Sequence, residues 1–140
     1  MRSHTRAILV IRVLWELIRY ELVFATRGFR GVHKGLLGRV RCRADRDSFE
    51  SAVCMTVDLV SALYWRRVLC LQRSVITARV MHAYGIAAEL VIGYRFTPFA
   101  GHAWVEVGGR IVNDLSGYAE KMQVLERVRP VLSGPNFSET

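Results

Sequence analysis

His102-Ala103-Trp104-Val105-Glu106-Val107-Gly108-Gly109-Arg110-Ile111-Val112-Asn113-Asp114 is the stretch from which the fold is read. Alternation places His102, Trp104 and Glu106 on one face of a strand and Ala103, Val105 and Val107 on the other. Gly108-Gly109 predicts a tight hairpin, and Ile111 to Asp114 a returning strand. Just upstream, Leu90-Val91-Ile92-Gly93-Tyr94 reads as a buried strand. Before it the period is helical. A helix is predicted from near Cys70 to Tyr84, with Gly85 as its stop. Asp47-Ser48-Phe49-Glu50 reads as a capping box opening an earlier helix, with Val53, Val57, Val60, Leu63 and Tyr64 along one side. Helices come first and antiparallel strands later, without repeated alternation, which makes the chain α+β.

Residues 1–48 read as an amphipathic helix and a connector packed on the core. The helix lies within Ala7 to Phe24, where Leu9, Val13, Leu14, Leu17 and Ile18 recur at three- and four-residue spacing. Arg12, Glu16, Arg19 and Glu21 interrupt that stretch, so it is not a membrane span, and it lacks the unbroken apolar run of a signal peptide. Arg27 to Arg46, with several glycines and many charges, reads as a loop. Residues 49–130 form the core and 131–140 a flexible tail, within a single domain overall.

With 140 residues, 51% of them hydrophobic and only three prolines, the chain reads as globular and long enough for a real core. Its formal charge of +8 is carried almost wholly by arginine, with lysine only at 34 and 121. Such a surface suits anionic partners, or simply keeps a protein soluble. No helix-turn-helix, finger or aromatic RNA-binding string accompanies it, so nucleic acid is not an expected partner. Cys42, Cys54 and Cys70 are an odd, scattered set, which predicts a cytoplasmic protein without a disulfide framework. His4, His33 and His82 lie apart, with no zinc-ligand spacing, and no metal or cofactor is expected. Cys54 sits inside an apolar helix and reads as a packing residue.

Cys70 is different. It falls in the first turn of its helix, where unpaired N–H groups and the helix dipole favour a thiolate and could hold an oxyanion. Arg66, Arg67 and Arg73 add positive charge nearby. His102, beside a tryptophan at a strand start, suits a general base. The group that orients it is settled by parity only if the turn is known. A two-residue Gly108-Gly109 turn sets His102 against Leu115 and on the face of Asn113; an odd-length loop or bulge favours Asp114. Either residue type can serve, and the two stay tied at this level.

The string Cys70-Leu71-Gln72-Arg73-Ser74, then Gly85-Ile86-Ala87-Ala88, Val91-Ile92-Gly93 and Pro98-Phe99-Ala100-Gly101-His102-Ala103-Trp104-Val105-Glu106, resembles the leader peptidases of lasso-peptide biosynthesis, the transglutaminase-like B proteins. The resemblance covers about residues 65–128. It implies a papain/transglutaminase-like core and a Cys-His-Asp triad at Cys70, His102 and Asp114. It implies removal of the leader from a ribosomally made precursor peptide, before a separate ATP-dependent cyclase closes the macrolactam. The first 60 residues lack the strand pattern of a leader-recognition domain, so the stand-alone form is expected, with a separate recognition protein as partner. Trp104 then walls the cleft, while Arg73 and Ser74 pack or cap the helix. Gln72 is not assigned as an oxyanion donor. An acyl transferase using the same triad, or a non-catalytic leader-binding scaffold, is the competing expectation.

Overall fold

The computed structural model describes residues 3–41, 47–113 and 119–133, with only the backbone at Asp47, Ser48 and Ser133. Cys42, Asp114 and residues 134–140 therefore lie outside the described residues. The first helix, α1 (Ser3–Leu36), buries Leu9, Val13, Glu16 and Leu17 at helical spacing. Leu14 and Ile18, expected on that face, are exposed instead. Each follows a core residue by one position, a 100° step around the helix that carries it off the core. No described helix is long and apolar enough to cross a membrane.

The described part of the expected connector, residues 27–41, is largely helix. After a break at Gly28 (φ +64°), α1 resumes and buries Val32 and Leu36, an i, i+4 pair. Glycines do not end this second half because it is held from outside. Arg79 Nη1 donates to Gly35 O (2.9 Å), and Arg79 Nε donates to the buried Glu16 carboxylate (2.7 Å). One guanidinium thus ties both halves of α1 together. Strand β1 (Arg39–Arg41) follows and pairs in parallel with β6 (Val131–Ser133). Residues 131–133, expected in the tail, are therefore in a strand, anchored by buried Val40 and by Val131 N donating to Gly38 O (3.1 Å).

Helix α2 (Asp47–Leu63) buries Val53, Val57 and Val60. Leu63, its last residue, is exposed rather than in line with them. The Glu50 carboxylate accepts from Arg110 (3.3 and 3.4 Å). Helix α3 (Cys70–Ala83) is the central element, with a run from Ser74 to Ala78 fully buried. All three helices contribute to one core with the sheet, where each fully buried Leu, Val or Ile contributes ~1.5–3 kcal/mol relative to exposure.

The four-stranded antiparallel sheet has the order β4-β3-β2-β5, from β4 (Arg110–Ile111), β3 (Phe99–Val107), β2 (Ala88–Phe96) and β5 (Gln123–Val128). Leu90, Ala103, Val105 and Val128 join the core with the helices. On the other face Val91 and Trp104 pack with Ala119 and Met122. Trp104 lies across β2 because Gly93 has no side chain. A Cβ there would stand 2.6 Å from the indole and 2.9 Å from Gln123 O. The α+β class, helices followed by an antiparallel sheet, is as expected.

Candidate active site

Cys70 is the first residue of α3 and is exposed to solvent. Leu69 before it is extended (φ −84°, ψ 168°), and helical bonding begins with Arg73 N donating to Leu69 O (2.9 Å). Among the described residues no side chain caps this end, which leaves backbone N–H groups of the first turn available to an incoming group. Helix α1 passes close by. The Tyr20 hydroxyl is held above its ordinary range by burial and, secondarily, by negative charge on Cys70.

His102 is the fourth residue of β3, paired with Gly93 of β2 and half-buried. Its ring stacks on Trp104, with centroids 6.0 Å apart and planes inclined by 26°. The indole is itself fixed, since Trp104 Nε1 donates to Glu106 Oε1 (3.0 Å) and Arg127 Nη1 donates to Glu106 Oε2 (2.6 Å). Burial alone would raise the Glu106 carboxyl, but the bonds from Trp104 and Arg127 outweigh it and hold the group below the usual carboxylate range. His102 thus lies at the end of a row, His102, Trp104, Glu106, Arg127, along one side of the sheet.

The hairpin is the two-residue form: Val107 pairs with Arg110 and Glu106 with Ile111 across Gly108 (φ +58°) and Gly109 (φ +79°). Strand parity would then favour Asn113, but the ladder stops before parity can act. Val112 N donates to Val105 O (3.0 Å), whereas Val105 N donates to the side chain of Asn113, at Oδ1 (2.7 Å). Asn113 Nδ2 donates to Ser74 Oγ (3.1 Å), and Ser74 Oγ donates to Ala103 O (3.0 Å). Both ends of the Asn113 amide are committed to this network. Asp114 lies outside the described residues.

Ser74 is the residue the sequence reading undervalued. It is buried, one turn after Cys70, and its hydroxyl reaches the residue after His102 and the residue before Asp114. The signal was present: a serine directly before Val75-Ile76 on the core side of a helix needs partners for its hydroxyl. Cys54 behaves as expected of a packing residue. It is half-buried in α2, and its Sγ donates to Val112 O (3.5 Å). Burial, then Asp58 and Glu50, push its thiol up to about 12.

The sequence profile of the Transglutaminase-like superfamily matches residues 14–127. The chain belongs to that superfamily. It is also similar to the microcin J25-processing protein of Escherichia coli, 41% identical over 59 residues. That match spans 42% of this chain and 28% of the relative's length. No solved structure matches. The resemblance read from the Cys70 to Glu106 string is therefore found in the comparisons as well, over part of the chain.

Proposed function

We propose that the protein is a cysteine peptidase that removes the leader from a lasso precursor peptide. One observation carries this reading. An exposed cysteine opens α3 and a half-buried histidine stands on β3, and Ser74 ties the two elements together in a chain of the transglutaminase-like superfamily. The role of the relative, processing of microcin J25, supports a peptide substrate.

In this mechanism Cys70 Sγ, as the thiolate, attacks the carbonyl carbon at the leader–core junction. A C–S bond forms while the C–N bond breaks, and His102 gives its proton to the departing amine. First-turn N–H groups of α3 take the oxyanion. His102 next removes a proton from water, whose oxygen attacks the thioester; the C–S bond breaks and the thiolate returns. Asp114 fixes the imidazole tautomer, a role supported by the commitment of the Asn113 amide elsewhere. A separate leader-recognition protein presents the leader, and a separate ATP-dependent cyclase closes the ring on the core peptide.

The test mixes protein, precursor peptide and recognition protein, and weighs the products. Wild type should release a leader with a free carboxylate, and Cys70→Ala should lose at least ~10⁴-fold of the rate. Equal release by Cys70→Ala, or none by wild type, sinks the peptidase reading; a leader amide-linked to an added amine marks an acyl transferase instead.

A further inference from the structure

A groove of about 460 Å³ runs beside the start of α3, lined by Tyr20, Glu21, Phe24 and Ala25 of α1 and by Arg66, Arg67, Leu69, Leu71 and Gln72. Cys70 is not itself in the lining, but its chain neighbours Leu69 and Leu71 are, and Tyr20 of the opposite wall lies close enough to feel its charge, so the groove runs alongside the nucleophile's position. Its α1 wall is aromatic, with Tyr20 and Phe24 stacked at 5.8 Å and inclined by 11°. Phe24 and Leu69 are 48% and 60% exposed, a cost in water that a bound apolar group would remove.

We propose that this groove, on the reading of Cys70 as a peptidase nucleophile, is the subsite that receives a bulky apolar side chain of the peptide next to the scissile bond. The occupant follows from three features. A groove lined by both chain neighbours of Cys70 suits a group only a few bonds from the attacked carbonyl. The stacked Tyr20–Phe24 wall and the two leucines suit a leucine or an aromatic ring. Gln72 Nε2 is buried without a hydrogen-bond partner among the described residues, so turning its amide toward the groove offers a donor to a peptide carbonyl and breaks no existing bond. The rim carries Arg66, which pairs with Glu21 (3.5 Å), and Arg67, which has no ion pair among the described residues. Arg67 favours an acidic neighbour on the same peptide.

Peptidyl vinyl sulfones, which alkylate a cysteine without needing turnover, test this directly. A series carries Ala, Leu or Phe at each of the three positions nearest the electrophile, and Cys70 labelling is followed by peptide mapping. Each rate is divided by that protein's rate with iodoacetamide. Wild type should prefer Leu or Phe over Ala by about tenfold at one position. Phe24→Ala, a change at a half-exposed site, should reduce that preference to about twofold. Equal rates across the series in wild type, or an unchanged preference in Phe24→Ala, overturns the subsite. Retained selectivity without leader release by wild type would leave the subsite standing and remove the peptidase reading.

Discussion

Cys54 and Cys70 are the same side chain under opposite conditions. Cys54 lies inside α2, half-buried, with its thiol bonded to a backbone carbonyl and two carboxylates nearby that oppose ionisation. Cys70 stands at the first residue of α3, exposed, with open N–H groups behind it and a groove beside it. Burial and neighbouring charge, not residue type, decide which of them is silent.

The comparison can be broken most sharply by alkylation. At pH 8 a thiol near 12 is ionised to roughly one part in 10⁴, so folded Cys54 should react with iodoacetamide ~10³-fold more slowly than an ordinary exposed cysteine. Mass mapping of protein quenched at intervals should find Cys70 modified first and Cys54 only after unfolding. Equal labelling of both in the folded protein would erase the distinction.

The next effect tests what holds Cys70 in place. Ser74→Ala removes the donor to Ala103 O and the acceptor for Asn113, leaving buried groups unpaired at a cost of about 1–3 kcal/mol. A shift of about an ångström between α3 and β3 should lower kcat by ~10²-fold with KM changed far less. Wild-type kcat in a folded Ser74→Ala would show that the network serves packing alone.

The smallest effect lies at the far end of α3. His82 Nε2 bonds to Ala88 O (2.7 Å), and burial holds the imidazole below its ordinary value; the bond to Ala88 works the other way, and the Arg79 charge adds to the lowering. Below about pH 6.5 the unfolded chain takes up a proton that the folded chain resists, so stability falls as pH drops through that point. Thermal unfolding at pH 7 and 5.5 should differ by a few degrees at most in wild type, roughly 1–3 °C, and by less in His82→Gln. No change in the slope would mean that His82 is already free to protonate, and that this end of α3 is as open as the Cys70 end.

Periodicity made much of this fold legible. The valines of α2 and the division of β3 into a face of Ala103 and Val105 and a face of Trp104 follow from side-chain spacing alone, as does the turn at Gly108-Gly109. The second half of α1 was hidden because its stability comes from Arg79, some 40 residues away, and not from its own glycine-rich sequence. Strand β5 was missed for a related reason. Only Val128 of its six residues is buried, so no alternation marks it. At the candidate site, the placement of Cys70 at a helix start and of His102 on a strand could be read from the sequence. The Asn113–Asp114 tie could not be broken by counting, because a side-chain oxygen takes the place of a strand carbonyl and ends the ladder.

Gly93 carries a consequence for how this protein can vary. Its missing Cβ makes room for the indole that supports the His102 ring, yet Gln123 O stands at 2.9 Å from the same point. A smaller residue at position 104 would therefore not rescue a side chain at 93, since the backbone of the neighbouring strand blocks it as well. Across related sequences glycine should persist at this position even where the tryptophan has been lost, a dependence that runs in one direction only.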